Sequence, residues 1–532
     1  MKRWEIVAGL LGFVVVWATV PLLLAGCRRR MARNRPAELH HGNGSPVPRL
    51  GGAAIAMAFF AVQALAAVVN PEYWATFRLH PVIPLTGLAM FGLGFWDDLK
   101  PLGARKKLIV QILIASLVCI GGAGIQIFRV PFTGQIISLG PWGYVATVLW
   151  LVSFTNLINL IDGMDGLAAG ISLMLVVLLG YVGAETAGTQ MVIAGMGGAI
   201  LGFLRYNFPP ARIYLGDGGA YFLGYQIGLF ALISSHKGEV MAALIAPLFV
   251  LALPILDTGL AITRRGLRGL PLFRPDRRHL HHHLLDSGLS QFKVVMGFYA
   301  LTLMFLVLGM AAYWSRGHLV PALFGISVLI LLGFASCFQF SRRWFAIGRM
   351  FENSLKMRRE IEYALCLSKW LALEGKRCGD VEILWTTLII AAEKLGFSMV
   401  RVRLADGERV WFRETSPIAG QPDLPQPRRH FVRHRLMQGR CGVLEFEAPC
   451  EAGENVAGGR QRNWDRPTIS DEGLFHTVSE LLAEGWIKSA QHCQEHEERP
   501  LQFVANSKAV NRFSSTAHST LGVPFSSPEK SG

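Results

Sequence analysis

The feature that most limits how this chain can fold is a series of long runs without charge. From Leu108 to Phe128 there are 21 residues and no acidic or basic side chain. A helix of that length reaches across the hydrocarbon core of a bilayer. Eleven candidate runs occur, at roughly 5–26, 50–69, 81–96, 108–127, 142–160, 167–184, 189–205, 219–235, 240–262, 292–313 and 319–340. In lipid each must be helical, because its backbone groups find no water to bond. The expectation is an all-α polytopic membrane protein of about eleven transmembrane helices, followed by a C-terminal soluble α/β domain. Composition agrees, since 52 % of the 532 residues are apolar.

The formal net charge of +15 is unevenly spread. Residues 1–340 hold 25 Lys/Arg against 13 Asp/Glu, whereas residues 341–532 hold 27 against 24. The surplus base sits between the apolar runs, where orientation and anionic lipid or phosphate explain it better than nucleic acid. With the loop after the first span inside, the inner loops carry 17 basic residues and the outer segments 6. The amino end is therefore expected outside and the carboxyl end in the cytoplasm. The first apolar run ends in Arg28-Arg29-Arg30 without a small-residue cleavage pattern, so it reads as an uncleaved span. The eight cysteines lack metal-ligand spacing and read as reduced thiols.

Past residue 340 the character changes. Residues 341–375 read as an amphipathic connecting helix, 376–498 as a cytoplasmic α/β domain and 499–532 as a disordered end. Helices are expected at 381–395 and 472–489, and strands at 399–404, 409–412 and 442–447. A short hairpin is expected in the outer loop 125–141.

Four polar clusters interrupt the apolar pattern, and the charge count puts all of them on the inner face. The first is Asp97-Asp98 with Lys106-Lys107, which would present acid and base to a phosphate from one loop; a solvated helix end is the plainer reading. The second runs from Asn156 through Asn159 and Asp162 to Asp165. Residues three apart share a helix face, and Gly163 and Gly166 let backbone approach a ligand. Two amides and two carboxylates are hard oxygen donors suited to magnesium, although polar contact between helices competes with that reading. The third, Gly216-Asp217-Gly218-Gly219, suits either a metal or a helix cap. The fourth is Asp276-Arg277-Arg278-His279-Leu280-His281-His282-His283. It offers planar forks and imidazole donors to a diphosphate, and its arginines disfavour zinc.

Taken in order, these clusters resemble the polyprenyl-phosphate N-acetylhexosamine-1-phosphate transferases of glycosyltransferase family 4. The resemblance covers about residues 45–290 and is strongest for the branch that acts on undecaprenyl phosphate and GlcNAc-1-phosphate. It implies magnesium, with manganese as the alternative ion, on Asn159 and Asp217. It implies Asp97, Asp98, Asp162 and Asp165 in catalysis, and Lys107, Asn156, Arg278, His279, His281 and His282 in substrate binding. The implied partners are a UDP-N-acetylhexosamine, undecaprenyl phosphate and membrane lipid, with a homodimer left open. The implied site lies at the cytoplasmic face of a bacterial inner membrane. The phospho-N-acetylmuramoyl-pentapeptide transferases are the alternative within the family. A lipid-linked-sugar transporter or a membrane-anchored sensor are alternatives outside it. The expected chemistry is attack of the lipid phosphate on the β-phosphorus with loss of UMP, by single or double displacement.

Overall fold

The computed structural model describes residues 2–33, 47–79, 81–122, 124–129, 135–182, 186–234, 246–268, 284–285, 288–315, 318–337, 347–377, 381–404, 407–413, 429–435, 443–449 and 472–497. The chain divides into two compact units, Met1–Arg358 and Arg359–Gly532.

The first unit is almost wholly helical. Its main helices are α1 (Lys2–Arg33), α2 (Gly51–Val69), α3 (Pro71–Leu79), α4 (Val82–Leu99), α5 (Ala104–Ile120) and α6 (Pro141–Ile161). There follow α7 (Leu167–Val182), α8 (Ala187–Asn207), α9 (Gly216–Ser234), α10 (Ala252–Arg268), α11 (Gln291–Trp314) and α12 (Val320–Cys337). Local signals set several of these ends. Pro141 opens α6, where its missing N–H is no loss. Thr186 caps α8 by accepting from the amide of Thr189. Lys100 is extended at the end of α4 and Pro101 prevents continuation.

Six of the described helices, α1, α2, α4, α6, α8 and α11, are long and apolar enough to cross a membrane. The chain is a multi-pass membrane protein on that ground; among the described residues six helices meet this length, where eleven runs were expected. Helix α5 shows one reason. The uncharged run that begins at Leu108 continues to Phe128, yet the helix stops at Ile120 before Gly121-Gly122 and has 17 residues. Sequence continuity in hydropathy overstated helix length. After α5 the chain forms the expected hairpin, β1 (Ile127–Arg129) antiparallel to β2 (Ile136–Ser138).

Helix α9 is the centre of this unit. It packs against α2, α4, α6 and α7. From Gly218 to Leu232 every residue is buried, the pattern of a helix enclosed on all sides. Phe222 meets Phe59 edge to face at 5.2 Å, and Phe59 also lies 6.2 Å from Phe230. Because α9 begins with Gly216-Asp217, its enclosure fixes an acidic residue at one end of the helix bundle.

The second unit begins within α13 (Ile347–Arg377) and continues with α14 (Val381–Lys394), β3 (Met399–Leu404), β4 (Gly407–Phe412), β5 (Arg429–Arg435), β6 (Val443–Pro449) and α15 (Glu472–Glu497). Its four strands form an open antiparallel sheet in the order β4-β3-β6-β5. Val400, Val402, Leu444 and Phe446 are buried from one face, and Phe446 packs on Phe397, which packs on Phe475 of α15. Ser368 and Ser489 join α13 to α15 through bonds to Leu481 O and Leu371 O. On the other face Glu445, buried, accepts from Arg401 and Arg433.

Candidate active site

Three of the four polar clusters meet at the ends of α4, α5, α6 and α9. The cluster of Arg278, His279, His281 and His282 lies outside the described residues.

Asp97, buried at the end of α4, is bonded through both oxygens. Oδ1 accepts from the amide of Leu102 at 2.6 Å and Oδ2 from Lys107 Nζ at 2.6 Å. The first bond holds the turn between α4 and α5; the second aims the lysine. Lys107 Nζ also lies 3.4 Å from Asp217 Oδ2, so it bridges α4 and α9. Burial opposes the ammonium, but its bond to Asp97 and the surrounding negative groups outweigh this and raise its pKa above the usual lysine value. Lys107 is a fixed cation at every physiological pH.

Asp98 turns the other way. Its two oxygens accept from the amides of Asp217 and Gly218 at 3.0 and 2.9 Å. These are first-turn donors of α9 without partners in their own helix. A carboxylate from α4 thus caps α9. Gly216 precedes them with φ +75°, a conformation that favours glycine, and a Cβ there would come within 2.7 Å of Asp98 Oδ2. Gly94, one turn before Asp98, lets the helices touch; its Cβ would lie 2.4 Å from the Asp217 carbonyl oxygen.

The Asn156–Asp165 segment is divided in its contacts. Asn156 donates to Gln111 Oε1 at 2.7 Å and to Val152 O at 2.8 Å. Asn159, half-buried one turn later, makes no side-chain hydrogen bond among the described residues. Asp162 follows the end of α6. Burial first, and then the charges of Asp217 and Asp98, raise its pKa well above the usual carboxylate value, with Arg49 opposing. Asp165 Oδ2 accepts from the amide of Ala211 at 3.0 Å, which ties it to the segment leading to α9. Burial, and then the adjoining Asp97 carboxylate, raise Asp217 to about 7.

Sequence reading missed three contributors. Arg49 is the cation whose charge acts on both Asp98 and Asp162. Tyr221, buried one turn beyond Asp217, adjoins Lys107. Gln111, buried on α5, pairs with Asn156. A polar residue in an otherwise uncharged apolar run was the available signal for Gln111.

The site carries four converging carboxylates, Asp97, Asp98, Asp162 and Asp217, against two nearby cations, Lys107 and Arg49. With all four ionised the site would be net negative, and the mutual repulsion that, with burial, raises Asp162 and Asp217 is what a divalent cation would relieve. Among the described residues no three His, Cys, Asp or Glu side chains form a metal-holding group. Magnesium does not require one, because it binds through one or two carboxylates and keeps water or substrate oxygens. The free carboxamide of Asn159 and the carboxylates of Asp162 and Asp217 fit that donor set.

The pattern of glycosyl transferase family 4 matches residues 80–235, which contain all eight of these predicted Asp, Asn and Lys site residues. A probable undecaprenyl-phosphate N-acetylglucosaminyl 1-phosphate transferase of Bacillus subtilis is 36 % identical over 293 residues, 54 % of this chain and 78 % of its own length. The chain belongs to the polyprenyl-phosphate N-acetylhexosamine-1-phosphate transferase family. Other members are similar too. A decaprenyl-phosphate N-acetylglucosaminephosphotransferase of Mycobacterium tuberculosis is 31 % identical over 317 residues, 54 % of this chain and 76 % of its own. A phospho-N-acetylmuramoyl-pentapeptide-transferase of Moorella thermoacetica is 35 % identical over 259 residues, 44 % and 79 %.

Proposed function

We propose that the chain transfers N-acetylglucosamine 1-phosphate from UDP-GlcNAc to undecaprenyl phosphate, releasing UMP and starting a lipid-linked cell-envelope polysaccharide. The observation that carries this is Lys107, fixed between Asp97 and Asp217 at one end of the helix bundle. The donor sugar follows the Bacillus subtilis relative, whose match spans 293 residues against 259 for the pentapeptide transferase.

In the reaction an oxygen of the lipid phosphate attacks the β-phosphorus of the UDP-sugar. The bond from that phosphorus to the bridging oxygen breaks, and UMP leaves with the electron pair. The charge on the transferring group is the main electrostatic problem. Lys107 neutralises part of it from a preset position. Asp97 orients Lys107, and Asp98 fixes the first turn of α9 that carries Asp217; both act as positioning groups, since their oxygens are already bonded within the protein. Magnesium held by Asn159, Asp162 and Asp217 would supply Lewis-acid polarisation of the diphosphate. Arg278, His279, His281 and His282 contact the nucleotide-sugar in this reading.

Under the eleven-span partition read from the sequence, 17 basic residues fall inside and 6 outside, which supports a site on the cytoplasmic face of a bacterial inner membrane. The test is UMP release from UDP-GlcNAc and undecaprenyl phosphate by membranes holding the chain. Asp217→Asn is expected to lower the rate on the order of a hundredfold or more while the protein still inserts. Unchanged turnover in that variant would remove Asp217 from the site. Absence of UMP release by the unaltered chain would overturn the reaction.

A further inference from the structure

Gln111 stands on α5 one turn beyond Lys107, and its side chain is 1 % exposed. Its oxygen accepts from Asn156 Nδ2 at 2.7 Å, while its own Nε2 has no hydrogen-bond partner among the described residues. An amide enclosed among apolar helices costs free energy when one of its donors is unmatched. A leucine or methionine would fill the same space without that cost. Packing is therefore a poor account of Gln111, and its position offers a better one. Residues four apart share a face of a helix, so Gln111 lies under Lys107 on α5. Residues three apart also share a face, so Asn156 lies under Asn159 on α6. The bond between Gln111 and Asn156 joins the two helices one turn away from the groups that act at the site.

We infer that Gln111 is a positioning residue that, through Asn156, fixes the register of α5 against α6 and so the spacing between Lys107 and Asn159. The inference rests on the transfer reading, in which both of those groups serve one phosphoryl group. It moves Asn156 from substrate contact to this pair. The Val152 bond turns the same Asn156 amide back along its own helix and leaves Gln111 as its side-chain partner. A shift in register would separate the cation from the metal-binding amide without removing either.

The test uses the full chain and four variants: Gln111→Leu, Asn156→Leu, the two together, and the exchange of Gln111→Asn with Asn156→Gln. Two quantities are measured, the kinetics of UMP release and the thermal unfolding of purified protein in detergent without substrate. Each single leucine variant is expected to lower kcat by about tenfold to a hundredfold. KM for UDP-GlcNAc should stay within about twofold, because ground-state contacts are untouched. The double variant should lose no more than the worse single one, since both singles break the same bond. The exchange should recover part of kcat. Full kcat in Gln111→Leu, losses that multiply in the double variant, or an effect confined to KM would each overturn the inference. If the unaltered chain releases no UMP, the transfer reading fails separately. The pair is then judged by unfolding: a double-variant shift smaller than the two single shifts combined supports it, and additive shifts overturn it.

Discussion

Asp97 and Asp98 are neighbours in sequence and opposites in structure. One aims a lysine and the other caps a helix from a different part of the chain. Asp98→Ala removes both bonds to the α9 amides, whereas Asp98→Asn keeps one acceptor. The alanine variant should lose more stability, on the order of 2 kcal/mol for a half-buried charged acceptor, and more activity. Equal melting temperatures for the two variants would show that the cap is not the role of Asp98. Asp217 gives a pH-dependent expectation. With its pKa raised to about 7, it holds a proton below that pH and must release it to bind a cation. The magnesium concentration for half activity should therefore rise by roughly tenfold as the pH falls from about 8 to about 6. A requirement that does not change with pH would remove Asp217 from the cation site. The acids were legible in the sequence because a carboxylate at the end of an apolar run is conspicuous. Their division of labour was not, because it depends on amides of Leu102, Asp217 and Gly218 that any residue would carry.

At the scale of elements, the site depends on close approach of α4 to α9. Gly94→Ala would place a methyl carbon 2.4 Å from the Asp217 carbonyl oxygen, a backbone atom that cannot step aside. The helices must part, at a cost of about 1–3 kcal/mol. A lower melting temperature and slower UMP release are expected together; a fully active, equally stable Gly94→Ala protein would show that the approach is not needed. Helix positions followed well from hydropathy, since α2, α4, α6 and α11 begin and end within a few residues of the runs that announced them. Their lengths followed less well, as α5 shows by stopping at a glycine pair that hydropathy does not register. In the second unit β3 was legible to the residue from its alternation, and β6 nearly so. Strand β5, Arg429–Arg435, was not foreseen. Its sequence, RHFVRHR, is too charged to read as a strand, yet it lies at the sheet edge, where charge is tolerated.

For the whole molecule, the family match ends at residue 235 and every described site residue lies in the first unit. The natural place to cut is before α13, because Ser368 and Leu371 of that helix bond to α15 and belong with the second unit. A chain stopped after residue 346 is expected to insert and to release UMP. A stable, inserted and wholly inactive product would show that the second unit completes the site. Orientation can be checked in intact cells with an impermeant thiol reagent. Cysteines placed at Gly103 and Arg268 should be shielded and one at Thr133 labelled; labelling at either of the first two would put the site on the wrong face for a cytoplasmic nucleotide-sugar. The bond from Asp98 to the amide of Gly218 spans 120 residues of chain. At roughly 5–20 residues per second, the ribosome needs on the order of ten seconds to make the second partner after the first. During that interval Asp98 waits at a membrane boundary without either of its amide donors, while Asp97 already has Leu102 and Lys107. Biogenesis therefore has a vulnerable window set by topology, and a translation pause placed before codon 216 would lengthen it.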